Sequence, residues 1–181
     1  MNRFVIAADT HGTLDIARVV DYYAGRENEF SKDNYLIICG DVGVCGFSAR
    51  DEELMRGQVF NIGETTFFTF GGAFSTDRES RVEGMTWFPE EIPCAEEYEE
   101  GWHNLSEHGF AVDYIITHTG PLEAVDSYGY YKDPGAELEL RQYLQRVADN
   151  TESTAWFYGH FNEDYDVDGT YFCLYEEVVT L

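Results

Sequence analysis

Four apolar runs of this 181-residue chain end in side chains able to hold a metal ion. RFVIAAD (3–9) leads into Asp9-Thr10-His11-Gly12, YLIICGD (35–41) closes on Gly40-Asp41, DYIITH (113–118) on His118, and AWFYGH (155–160) on Gly159-His160. Two carboxylates and three imidazoles combine hard oxygen with borderline nitrogen donors, a set that suits zinc, manganese or iron. The neighbouring glycines let the backbone turn tightly around an ion. One such histidine alone is more often structural than ligating; the recurrence at four run ends is what points to a metal. His103 and His108 share a helical segment but not a face of it, and are read as surface residues.

These donors must be positioned by the runs that precede them. Those four runs, with QVFNI (58–62), TTFFTF (65–70) and TYFCLYEEVV (170–179), have the length and the β-branched and aromatic content of strands. Helices are expected over Thr13–Tyr23, where Leu14, Ala17 and Val20 recur, over Cys94–His108, which stops at Gly109, and over Ala136–Ala148 after the DPG turn. Continuous apolar strands are covered on both faces, and QVFNIGETTFFTF reads as a hairpin turning at Gly63-Glu64. The expected fold class is α/β, a mixed β-sheet sandwich flanked by helices, in a single domain over 1–181. Open α/β sheets bind ligands at the carboxyl ends of their strands, where these donors fall.

Composition sets the function classes. A hydrophobic content of 44% and an aromatic content of 16% make a folded protein, not a solvated acidic tail, despite a net charge of −24. No run approaches a membrane span and Phe4–Ala8 is too short for a signal-peptide core, so a cytoplasmic protein without membrane association is expected. Cys39, Cys45, Cys94 and Cys173 form no CxxC pair and are expected as reduced, structural thiols. The negative surface repels nucleic acid and anionic lipid at long range, so direct nucleic-acid binding is not expected, and it attracts basic proteins. A candidate partner surface is WFPEEIPCAEEYEE (87–100), where Trp87 and Phe88 precede Glu90, Glu91, Glu96, Glu97, Glu99 and Glu100. The plainer alternative is that the two aromatics pack on the sheet and the glutamates are the solvated start of a helix. Solubility, including in high salt, is the plainer account of the charge and suits a chain with Lys32 and Lys132 as its only lysines against nine arginines, but the large aromatic content does not favour it.

The donor motifs, with LMRGQVF (54–60), FFTFGGAFSTD (67–77), WFPEE (87–91) and VDYIITHTGP (112–121), resemble a bacterial and phage branch of the calcineurin-like metallophosphoesterases along nearly the whole chain. The resemblance implies a trimmed metallophosphoesterase-like sandwich in which Asp9, His11 and Asp41 hold one metal and Asp41, His118 and His160 the other. The pattern is degenerate. VGVCGFSARDEE (42–53) stands where that family has a helix and a strand ending in Gly-Asn-His, and no Gly-Asn-His occurs in the chain. Asn162 replaces the second histidine of GHxH and is at best a weak ligand.

Binuclear chemistry needs two metals about 3.5–4 Å apart, each fully ligated. The expectation is therefore one divalent transition metal, zinc first, with manganese or iron as alternatives. Loss of a general acid costs on the order of 10²–10⁴ in rate, so hydrolysis is expected to be weak. Arg78 and Arg81, with Asp77, follow Gly71-Gly72 and are candidates for phosphate contact, or equally for local ion pairs. The favoured expectation is a metal-binding, largely inactive protein acting as an acidic inhibitor or decoy of a basic partner. A nucleic-acid-binding defence nuclease is the concrete candidate, which would make the chain anti-CRISPR-like. The alternative is a metal-dependent phosphoesterase acting on a small phosphomonoester or phosphodiester with a rearranged metal site.

Overall fold

The computed structural model describes residues 3–12, 14–31, 33–42, 55–75, 78–85, 87–129 and 135–181, without the side chains of Arg78 and Ala136. Most of VGVCGFSARDEE, with Cys45, and also Asp77 lie outside them.

The described chain is mixed α/β, with four helices and two mixed sheets. The smaller sheet centres on β1 (Phe4–Ala8), buried along its whole length, with β2 (Tyr35–Cys39) parallel on one side and β9 (Val179–Thr180) antiparallel on the other. The larger sheet runs in the order β3 (Gln58–Ile62), β4 (Thr65–Phe70), β5 (Tyr114–Thr117), β6 (Ala155–Tyr158), β8 (Tyr171–Cys173), β7 (Tyr165–Val167). Its interior pairs are parallel and both edge pairs antiparallel.

One apolar cluster joins Phe4, Ile6, Ala8, Ile37 and Cys39 of the small sheet to Phe67, Ile116, Ala155 and Phe157 of the large one, so the two sheets pack face to face. A second cluster fills the far side of the large sheet, where Phe68, Phe70, Ile115 and Trp156 meet the helices. Residues of β4, β5 and β6 thus alternate between the two clusters, as the two-residue period of a strand requires. Helix α4 (Leu138–Asn150) buries Leu140, Tyr143, Leu144 and Val147, an i, i+3, i+4, i+7 stripe, against that side. Helix α2 (Ala95–Glu107) lies against β3, and at Gly101 an added Cβ would stand 2.5 Å from the Tyr143 hydroxyl, so the close approach needs glycine. Helices α1 (Ala17–Tyr23) and α3 (Leu122–Ser127) are short.

Three expectations need correction. The first helix begins at Ala17, not Thr13. A fourth helix, α3, is added; six residues are too few for a helical period to stand out. TYFCLYEEVV is not one strand: β8 ends at Cys173 and β9 pairs in the other sheet. The break is made by the Asp164 carboxylate, which accepts backbone N–H groups of Tyr175 at 2.7 Å and of Glu176 and Glu177 at 3.0 Å. That turn carries the chain across from the large sheet to the small one. The expected hairpin turning at Gly63-Glu64 forms, with Ile62 opposite Thr65. No helix among the described residues is long and apolar enough to cross a membrane.

Candidate metal centre

The carboxyl ends of β1, β2, β5 and β6, from both sheets, carry Asp9, Asp41, His118 and His160. The loops after β1 and β2 are zipped together: His11 N–H donates to Asp41 O at 2.8 Å and Gly12 N–H to Val42 O at 2.7 Å. After β5, His118 is held between two anchored threonines. Trp156 Nε1–H donates to Thr117 Oγ1 at 2.7 Å, and Thr117 Oγ1–H to the Thr119 carbonyl at 2.6 Å.

Backbone strain concentrates here. Of the seven non-glycine residues with positive φ among the described residues, five are Asp9, His11, Asp41, His160 and Asn162. Such conformations cost roughly 1–3 kcal/mol each and persist where the surrounding structure imposes them, often at functional sites. At Asp9 part of that imposition comes from Arg18, whose guanidinium donates to the Ala8 carbonyl and, at 2.8 Å, to the Asp9 carbonyl. The same guanidinium lies over the Tyr175 ring.

Among the described residues, Asp9, Asp41 and His118 offer ligand atoms that all lie within 4.8 Å of one another. His118 Nδ1 is 3.6 Å from Asp9 Oδ1 and its Nε2 is 3.8 Å from Asp41 Oδ2. His11 Nε2 approaches Asp41 Oδ2 to 3.4 Å, while its Nδ1 is held at 2.6 Å by Asp15. Asp9 is fully buried, and its Oδ1 has no hydrogen-bond partner although Oδ2 accepts the His160 N–H at 2.6 Å. Burial pushes the Asp9 carboxyl above its ordinary range, helped by the neighbouring Asp41 charge and opposed by His118 and the His160 N–H. An orphaned, desolvated oxygen beside a second carboxylate and an imidazole fits a divalent cation, which would stabilise the charged form that burial disfavours. The packing also reserves the space. A Cβ on Gly40 would fall 1.7 Å from His118 Nδ1, and one on Gly159 would fall 2.7 Å from both Asp9 oxygens.

The other expected site residues are placed as follows. His160 borders the cluster, its ring centroid 5.0 Å from that of His118, but its Nε2 faces Glu137 Oε2 at 3.3 Å. The structure thus groups Asp9 with Asp41 and His118, and sets His11 and His160 at either side. Asn162 is exposed. Arg81 is partly buried and engaged by its surroundings. His103 and His108 lie on the surface. Cys39 and Cys173 are buried free thiols pushed up by burial, and Cys94 is an exposed free thiol.

In the acidic segment, Phe88, Glu90, Glu96 and Glu99 are exposed and Trp87 is half-buried. Three of the six glutamates are tied to side chains of other segments, and Glu96 is hydrogen-bonded to the nearby Cys94 side chain. Glu91 accepts from Ser75 Oγ at 2.7 Å, Glu97 from Arg56 at 3.1 Å and from the Cys94 N–H at 2.8 Å, and Glu100 from Gln58 at 2.8 Å.

Sequence reasoning missed Glu137, Arg18 and Asp15. Glu137 is 2% exposed and sits in the turn before α4. Burial alone would raise its carboxyl, but the hydrogen bond and charge of His160, then Arg141 and Thr119, bring it down to about 2. The only sequence signal for it was the i,i+4 spacing to Arg141, now an ion pair at 3.0 Å. No protein-family model matches the chain and no curated protein matches it, so the chemistry of the site rests on its own geometry.

Proposed function

We propose that the chain is a metal-binding, metallophosphoesterase-like protein with one divalent ion at Asp9, Asp41 and His118, weak as a catalyst. Its acidic surface serves to engage a basic protein partner. The observation that carries the metal reading is the Asp9 Oδ1 atom, buried without a hydrogen-bond donor beside His118 Nδ1. A bound divalent ion would supply Lewis acidity toward a phosphoester oxygen or a water. Asp9 and His118 fix the inner wall of the site, and His11, oriented by Asp15, stands beside Asp41. Zinc suits this mixture of oxygen and nitrogen donors, with manganese or iron as substitutes. The missing Gly-Asn-His leaves no residue in a leaving-group role, which is why hydrolysis is proposed to be weak.

The partner proposed is a basic, nucleic-acid-handling protein such as a defence nuclease, whose cationic groups the −24 surface would occupy in place of a polyanion. One observation favours a second reading, a working phosphoesterase: the Asp41 side chain is 43% exposed and that of His11 26%, so the cluster is open to a small phosphoester. Elemental analysis and aryl phosphate turnover, run on the wild type and on Asp41→Ala, decide between them. The first reading expects near-equimolar metal and very slow turnover. Efficient turnover that Asp41→Ala abolishes would establish the second, and absence of metal after zinc-supplemented purification would refute both.

A further inference from the structure

Glu137 receives contacts from four separate parts of the fold. Its Oε1 accepts from Thr119 Oγ1 at 2.5 Å and from Arg141 Nε at 3.0 Å, and its Oε2 accepts from the Phe74 N–H at 3.2 Å. Oε2 also faces His160 Nε2 at 3.3 Å. Every other group touching this carboxylate donates to it. An unprotonated Nε2 in that position would set its lone pair against a carboxylate oxygen, so Nε2 must carry a proton, and a neutral imidazole has only one. The ring has little freedom to turn away. Its own backbone N–H is bound to Asp9, and its faces and edges meet His118 and Phe161, each with ring centroids 5.0 Å away.

We propose that Glu137 is the positioning residue of His160, fixing the ring proton on Nε2 and leaving Nδ1 as the nitrogen available to the metal. This rests on the metal reading above, to which it adds His160 as a further donor beside Asp9, Asp41 and His118, and it makes Glu137 an outer-sphere carboxylate of the kind that orients ligating histidines. Glutamine is a poor substitute. Whichever way its amide is turned, the NH₂ group meets either Arg141 and Thr119 or the Phe74 N–H, so the four contacts cannot all be kept.

The test uses the whole protein with imidazole nitrogens isotopically labelled, at about pH 8, where an unperturbed imidazole is neutral. The His160 signals are assigned by their loss in His160→Asn. The metal-free wild type should show the proton on Nε2, and added zinc should shift Nδ1. Glu137→Gln should weaken zinc binding by about 10–100-fold, the usual loss when an outer-sphere partner is removed. In the His160→Asn background it should weaken binding no further. A proton on Nδ1, a zinc-induced shift at Nε2, no zinc-induced shift at either nitrogen, or an equal loss from Glu137→Gln in both backgrounds overturns the proposal. The wild-type spectra decide it even if Glu137→Gln does not fold. Absence of zinc binding by the wild type refutes the metal reading instead, and the metal-free spectrum still decides whether Glu137 fixes the His160 proton.

Discussion

Two buried carboxylates, Asp9 and Glu137, respond to acid in opposite senses. Asp9 is held above its ordinary value of 3.8 by burial, so the native state binds its proton more tightly than the unfolded chain does. Metal-free stability therefore falls as pH rises from that ordinary value through the raised one. At neutral pH, Asp9→Asn should leave the metal-free protein as stable as the wild type or more so, by about 0.5–2 kcal/mol, the range of many stabilising substitutions. It should also lose the rise in melting temperature that zinc gives the wild type. Thermal melts with and without zinc check both, and a metal-free variant that melts clearly lower would show that the Asp9 charge is already compensated. Glu137 is depressed from 4.5 to about 2, so its contribution is present above the ordinary value and is lost as pH falls toward about 2. Glu137→Gln should flatten that acid limb, as read by urea midpoints across the window.

Gly40 shapes the site although it has no side chain. With φ at +79 and His118 where a Cβ would stand, Gly40→Ala should cost about 1–3 kcal/mol in backbone strain. It should also displace His118 and lower zinc stoichiometry in the protein that still folds. Unchanged stoichiometry would remove His118 from the proposed ligand set.

At the scale of elements, the donors were legible because each closes an apolar run, and such runs become strands almost regardless of context. The segment after Cys173 was not. Its fate is decided by Asp164, distant from the strand it interrupts, whose two oxygens take three consecutive backbone N–H groups. Likewise Glu137 acquires its role from Phe74, Thr119 and His160, three contacts between segments remote in sequence. Helix α3 escaped for a different reason, being shorter than two helical turns. Asp164→Ala should therefore cost about 1.5–3 kcal/mol, the range for hydrogen bonds to a charged group, with water recovering part at the exposed Glu176 and Glu177. The loss should appear first where β9 returns to β1. Hydrogen exchange should quicken at Leu181 N–H, which donates to the Phe4 carbonyl at 2.8 Å. Unchanged protection there would mean that pairing with β1 alone holds the strand.

For the whole molecule, the net charge of −24 acts on any encounter before contact is made. Self-repulsion of this kind opposes compactness and is screened by salt, while attraction to a basic partner is weakened by the same screening. Raising ionic strength should therefore stabilise the isolated protein and loosen the proposed complex with a basic partner. The structure narrows the residues through which the second effect is best read. Reversal at Glu91, Glu97 or Glu100 would also break contacts to Ser75, Arg56 or Gln58, and so confound binding with folding. Glu90, Glu96 and Glu99 are exposed, as is Phe88, and of the three only Glu96 has a side-chain contact among the described residues, to the nearby Cys94. Changing those three to lysine should slow association with a basic nucleic-acid-binding protein by about 10-fold or more at low salt, because steering governs the on-rate. Dissociation should change less. His118→Ala, which removes a proposed metal donor, should leave that association rate intact. If instead the triple reversal binds as fast as the wild type while His118→Ala abolishes function in a folded protein, the acidic face is only a solvated surface and the strand-end cluster carries the function.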